Sequence, residues 1–292
     1  MTAAGRAVLV QMRALLPDLT PAERRLAGQF LADPAGTAEM SVGELAACCE
    51  TSTATVVRFS RRLGYEHYRD LRLDVTREAT RETLETAGLP AASADIDRDD
   101  SPADIVAKVS LAETLSISDT VAALDTEKLA AAVRAMAGAR RVDVFGVGAS
   151  AMVGLDLQQK LVRIGHTALE WSDSHAAWTA AATLDDECVA IAISHTGMTS
   201  DTIEFLAIAN ASGATTIAIT NHGTSALAAK ADLVLTTAAR ETSFRSGALG
   251  SRIAQLMVVD CLFIGVAQAS YDASMEALRR TYVAVRRARP QG

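Results

Sequence analysis

Residues 190–202 read Ala-Ile-Ala-Ile-Ser-His-Thr-Gly-Met-Thr-Ser-Asp-Thr, a run in which β-branched and small apolar residues end in hydroxyls. Ser194, Thr196 and Thr199 surround Gly197, and Ile203, Leu206 and Ala207 then continue at helical spacing. The pattern predicts strand, tight loop and helix start. Unpaired backbone N–H groups at a helix start attract anions, and the helix dipole adds to the attraction. The three hydroxyls supply further donors, and Gly197 lets backbone approach a ligand closely. The loop has no lysine or arginine, and it lacks the Gly-Lys-Ser/Thr signature of a nucleoside-triphosphate loop. That chemistry suits a small phosphorylated metabolite. The same hydroxyls would also serve as plain helix caps, and the loop alone leaves both readings open.

A second glycine-rich turn, Gly-Val-Gly-Ala-Ser-Ala at 146–151, precedes another helical pattern. It fits the dinucleotide fingerprint with alanine in the last place, and Glu170 lies near the offset of a ribose-binding acid. A nicotinamide-dependent enzyme is therefore an alternative. It leaves the 194–199 loop without a role. The five histidines are scattered with no paired ligand spacing, so neither a metal nor another cofactor is expected.

A third constellation lies near the N-terminus. Residues 42–49 and 53–63 form two short helical patterns joined by Glu50-Thr51-Ser52, and Gly64 stops the second. At about 100° per residue, Val56, Phe59 and Leu63 share one side. Thr53, Ala54, Val57, Arg58 and Arg61 fall opposite, flanked by Ser52, Thr55 and Arg62. A small face of hydroxyls and arginines suits a major groove. Between Thr51 and Arg72, five arginines face two acids, a local balance of +3 in a chain whose net charge is −7. The acidic whole excludes a general nucleic-acid binder, so DNA contact must be local. Candidate DNA-contacting residues are Ser52, Thr53, Thr55, Arg58, Arg61 and Arg62.

The elements that must hold these loops follow from periodicity. Residues 1–80 read as helices. Thr20-Pro21-Ala22-Glu23 has the form of a capped start, and Asp33-Pro34 that of a stop. Residues 81–104, with Gly88-Leu89-Pro90 and several aspartates, read as a linker. From residue 105 helices lead into an alternation of strands (141–146, 167–171, 188–194, 215–220 and 233–237) and helices, including a short one at 225–230. The expected fold is α/β: an all-α helix-turn-helix domain (1–80), then a doubly wound five-stranded parallel-sheet domain (105–292). If the strand order is 2-1-3-4-5, the first and third strands are neighbours, and Ser150 comes beside Ser194 at a switch point of the sheet.

At 292 residues, 49% hydrophobic and 22% charged, the chain has the composition of a globular two-domain protein. No run approaches about 18 uninterrupted apolar residues, and the N-terminus lacks a signal-peptide layout. Cysteines at 48, 49, 188 and 261 fit no zinc spacing and read as reduced thiols. A cytoplasmic protein without a membrane partner is expected.

Taken together these motifs resemble a known family. The turn at 146–150, Ser-His-Thr-Gly-Met-Thr at 194–199, Ala-Ile-Thr-Asn at 218–221 and Lys-Ala-Asp at 230–232 are similar to a sugar isomerase (SIS) domain. The stretch from Ser41 through Ser-Thr-Ala-Thr-Val-Val-Arg-Phe at 52–59 to Arg-Leu-Gly-Tyr at 62–65 resembles the helix-turn-helix of RpiR-type bacterial transcription regulators. The resemblance covers nearly the whole chain. It implies a DNA operator as one partner and a sugar phosphate effector as the other, held by Gly148, Ser150, Ser194, Thr196, Gly197 and Thr199. It also implies that Asp173, His175 and Glu241 approach the sugar, and that the chain forms a homodimer or dimer of dimers. Two positions depart from the family pattern: Thr196 stands in place of a second serine, and Thr51 occupies a turn position where an apolar residue is common. Glu241, His175 and His195 are available to an aldose–ketose isomerase as acid or base, with His195 expected to point away. The DNA-binding half favours sensing over catalysis, and repression relieved by the ligand is what the resemblance implies.

Overall fold

A computed structural model describes residues 8–85, 97–240 and 248–287. The chain divides into two units, Met1–Ala123 and Leu124–Gly292, each taken here by itself.

The first unit is built from α1 (Val8–Leu15), α2 (Pro21–Ala32), α3 (Pro34–Glu39), α4 (Val42–Cys48), α5 (Thr53–Arg62), α6 (Tyr68–Glu85) and α7 (Pro102–Ala123). Capping chemistry sets several of its boundaries. Thr20 and Ser41 each form a reciprocal capping box, with Glu23 and Glu44. Asp33-Pro34 ends α2, as expected, but it also begins α3: the Asp33 carboxylate accepts the Gly36 N–H at 3.0 Å. Proline fits there because the first turn of a helix needs no N–H from it. The core is Leu9, Met12, Leu26, Phe30, Leu45, Val56, Phe59 and Leu71, all fully buried. In α7, Asp119 receives Arg13 of α1 at 2.6 Å with its side chain 4% exposed. Residues 105–123 thus count with the first unit, and the division falls later than the linker read at 81–104; of that linker, residues 86–96 lie outside the described residues.

The second unit alternates as the pattern requires: α8 (Thr126–Gly138), β1 (Arg141–Gly146), α9 (Ala149–Arg163), β2 (Ala168–Trp171), α10 (Ser174–Ala181), β3 (Cys188–Ile193), α11 (Ser200–Ala211), β4 (Thr215–Thr220), β5 (Leu233–Thr236), α12 (Leu249–Ala269) and α13 (Tyr271–Arg287). The expected helix at 225–230 is only a 3-10 turn, Ala228–Lys230. The sheet runs β2-β1-β3-β4-β5 with every pairing parallel, the order the alternation suggests. Along β3, Val189, Ile191 and Ile193 join a core with α8, α9 and α12, while Cys188, Ala190 and Ala192 join another with α10 and α11. Covering both faces is why these strands read as unbroken apolar runs. In α12 an 18-residue window has mean hydropathy 1.6, enough by length and composition to cross a membrane. Its Ala254, Val258, Leu262 and Val266 are buried at helical spacing, and the last three belong to the core that covers the sheet.

Candidate anion site and nucleic-acid interface

The carboxyl ends of β1 and β3 lie in register, Gly146 opposite Ile193. The loops leaving them enclose a cavity of about 220 Å³ lined by Ser150, Ser194, Thr196 and Thr199 together with His195, Ala248 and Ser251. Four of the expected hydroxyls therefore meet in one place. Gly148 and Gly197 shape the two loops, with φ of +61° and +63°. At Gly197 a Cβ would also lie 2.1 Å from the Ser225 Oγ, so no other residue fits there. His195 is among the residues around the cavity, and its ring lies beside that of His222, with centroids 6.0 Å apart. Asp173 and His175 do not line it. The Asp173 carboxylate caps α10 by accepting the Ala176 N–H at 3.0 Å, and exposed His175 packs on Trp178 with ring centroids 5.4 Å apart. The Ser174 hydroxyl does reach Asp201 at 3.1 Å, which brings the start of α10 to the first turn of α11. Glu241 lies outside the described residues.

The cavity's electrostatics come from backbone. In the helices α2, α3, α4, α5, α8 and α10, side chains of Thr20, Asp33, Ser41, Ser52, Asp125 and Asp173 cap the N-termini. By contrast α9, α11 and α12, which begin after Gly148, Thr199 and Ala248, have no side-chain cap, and all three begin at this cavity. The Thr199 side chain does not cap α11, and the Ser194 and Thr196 hydroxyls accept N–H groups of the loop itself. A helix start carries roughly half a positive charge, so three of them favour an anion although none of the lining side chains among the described residues is Lys, Arg, Asp or Glu. Within the wall, the Ser194 and Thr199 hydroxyls lie 3.1 Å apart, and the Gly197 N–H donates to Ser194 Oγ at 3.2 Å. The volume is below the roughly 300–1,000 Å³ of sites for drug-sized ligands. It suits a phosphoryl group with part of its carrier and is small for a dinucleotide. Glu170, the candidate ribose acid, lies instead against α9: its Cγ is 3.6 Å from where a Cβ on Gly154 would stand, and burial pushes its carboxyl up.

Ala248 and Ser251 stand outside the set that the motifs identify. Their signal is negative: Ala-Leu-Gly-Ser at 248–251 opens a long helical pattern without a capping residue. Ala248 holds φ +57°, a left-handed conformation that costs about 1–2 kcal/mol outside glycine and is often found at functional sites.

In the first unit, α5 buries Val56, Phe59 and Leu63, as its periodicity requires. Ser52, Thr53, Ala54, Arg58 and Arg61 are exposed. The Ser52 and Thr55 hydroxyls are 2.9 Å apart, and Arg58 donates to the Thr55 hydroxyl at 2.9 Å, which makes one connected polar strip. Arg62 is different. It donates to Glu23 at 3.0 Å and to the Asp18 carbonyl at 2.7 Å, which ties α5 to the start of α2. Arg72 likewise holds the Ala38 and Glu39 carbonyls. The Arg25 guanidinium grips the Cys49 and Glu50 carbonyls at 2.9 and 3.0 Å and so fixes the turn between α4 and α5.

These features define a class: a helix-turn-helix head followed by a doubly wound unit with a hydroxyl-lined cavity at its switch point. Comparison with known proteins agrees. Residues 6–82 match the model of the helix-turn-helix domain of the rpiR family, and residues 135–265 match that of the SIS domain. An uncharacterized HTH-type transcriptional regulator of Caldanaerobacter subterraneus is 35% identical over 274 residues, covering 94% of this chain and 95% of that protein. The solved structure of Vibrio vulnificus NanR complexed with ManNAc-6P is similar, with TM-score 0.61 and 25% identity over 97% of this chain and 100% of that one. So is the sugar isomerase domain of an RpiR transcription factor from Sphaerobacter thermophilus, with TM-score 0.56 and 26% identity over 61% of this chain and 97% of that one. The chain belongs to the RpiR family of helix-turn-helix transcription regulators with a SIS domain.

Proposed function

We propose that this regulator changes its affinity for a DNA operator when a sugar phosphate enters the cavity between β1 and β3. The observation that carries the proposal is the meeting of three uncapped helix starts and five hydroxyls in one cavity that has no basic side chain among the described residues. Such a site favours a phosphoryl group by directed N–H and O–H donors. The ManNAc-6P complex of NanR supports a phosphorylated sugar as the ligand class. In this reading the sugar extends from the cavity toward Asp173 and His175 at the start of α10, and Ser52, Thr53, Thr55, Arg58 and Arg61 face DNA, with Arg62 acting mainly as a brace.

The working form is a cytoplasmic dimer or dimer of dimers. Two recognition helices reach half-sites one helical turn apart in only one relative placement of the heads. A ligand that prefers one placement by about 1–3 kcal/mol shifts operator affinity about 5–150-fold. The protein acts as a repressor, and the SIS unit senses rather than catalyses; relatives over the full chain length named as transcriptional regulators support sensing.

A thermal-shift screen tests the ligand class. Hexose and hexosamine phosphates are compared with their unphosphorylated sugars at equal concentration. The expected outcome is a rise in the melting temperature with at least one phosphorylated member and none with its parent sugar. Equal shifts with both, or none with either, would overturn the proposal.

A further inference from the structure

Gln255 lies two turns into α12, one turn beyond the cavity-lining Ser251. It is 1% exposed, yet its Nε2 has no hydrogen-bond partner among the described residues. Its Oε1 accepts the Ser150 hydroxyl at 3.3 Å. Ser150 is 9% exposed and lines the cavity. A serine hydroxyl has one proton. While that proton is given to Gln255, Ser150 has only lone pairs to offer an anion, and lone pairs repel one.

We infer that Gln255 is a positioning residue that sets the direction of the Ser150 proton and turns its amide when an anion binds. A half-turn about the last side-chain torsion exchanges Oε1 and Nε2. Nε2 then donates to a lone pair of Ser150 Oγ, and the Ser150 proton is released toward the phosphoryl oxygen. The empty site thus leaves a buried N–H unpaired, and the occupied site pairs it. The carbonyl oxygen left in its place is the better tolerated of the two orphans. Binding gains both the new charge-assisted bond and the repaired donor. The inference rests on the reading of this cavity as a phosphoryl site. It adds that the wall formed by α12 takes part through Ser150.

The test is a double-mutant cycle on the full chain with inorganic phosphate as the probe, its affinity read from ³¹P line broadening. Gln255→Met removes donor and acceptor at similar length. Ser150→Ala should weaken phosphate binding about tenfold, the scale of one hydrogen bond to a charged group, and Gln255→Met about threefold, because Ser150 keeps its proton but loses the group that directs it. The double variant should be no weaker than Ser150→Ala alone, because Gln255 acts through Ser150. Wild-type affinity in Gln255→Met, or losses that multiply in the double variant, would overturn the inference and leave the phosphate site standing. No phosphate binding by the wild type would overturn both. If Gln255→Met does not fold, the Gln255 side-chain N–H₂ signal of the wild type decides. It should move downfield on saturation with phosphate and stay still in Ser150→Ala; no movement in the wild type overturns the inference.

Discussion

Ser194 has the most concentrated role of any residue in the cavity. Its Oγ accepts the Gly197 N–H and meets the Thr199 hydroxyl, so one side chain both shapes the loop and supplies a donor. Ser194→Ala should weaken sugar phosphate binding by about 1–2 kcal/mol and leave DNA affinity unchanged, as isothermal titration and DNA anisotropy would show. Gly197→Ala should be worse. The positive φ and the contact with Ser225 together should destabilise the second unit by about 2 kcal/mol or more, readable in a denaturant melt. On the DNA side, Arg58 and Arg62 separate two roles that sequence alone presents as one. Arg58→Ala should cost about 1–3 kcal/mol of specific DNA binding if it reads a base, with folding unchanged. Arg62→Ala should lower stability by breaking its contacts with Glu23 and Asp18. Acid makes the same point. Burial works to raise the Glu23 carboxyl, but the Thr20 amide and hydroxyl and then Arg62 outweigh it and hold the carboxyl below its ordinary 4.5. A depressed acid stabilises the fold above its unfolded pKa, and the gain is lost as pH falls through the lower folded value. The first unit should therefore lose stability on acidification below about pH 4.5, and Glu23→Gln should flatten that slope.

At the scale of elements, helix starts decide the architecture. The two glycine-rich loops and the amphipathic face of α5 were legible because each follows from a local rule: a strand run that ends in hydroxyls, or apolar residues at positions 56, 59 and 63. Asp33-Pro34 was half legible, because the same pair both stops one helix and caps the next. The third wall, Ala248 and Ser251, was not legible, because its mark is the lack of a capping residue. Nor was the division after Ala123. A helix such as α7 has the same periodicity whichever unit it packs on, and long-range contacts such as the Arg13–Asp119 pair assign it to the first. The Arg62 contacts were invisible for the same reason: they join residues 39 and 44 apart in the chain. The turn between α4 and α5 holds one strained residue, Glu50, at φ +48°. Glu50→Gly should raise stability by up to about 1 kcal/mol, the left-handed penalty less the entropy of added freedom, visible as a later denaturation midpoint with unchanged slope.

At the scale of the whole molecule, the chain has a net charge of −7 while residues 51–72 carry five arginines against two acids, so DNA attraction should be local to the head and fall with salt. Phosphate binding at the cavity of the second unit should depend less on salt, since the proposed donors are fixed dipoles in a partly enclosed cavity. The measurement that bears most directly on the coupling of the two is operator affinity with and without ligand. DNA selected by the protein from a random-sequence pool would serve as the operator, titrated by anisotropy across a panel of sugar phosphates, with wild type and Ser194→Ala side by side. The expected result is a change of about fivefold or more with at least one sugar phosphate, absent in Ser194→Ala. An operator affinity that stays the same with every sugar phosphate, including one that the wild type demonstrably binds, would contradict it.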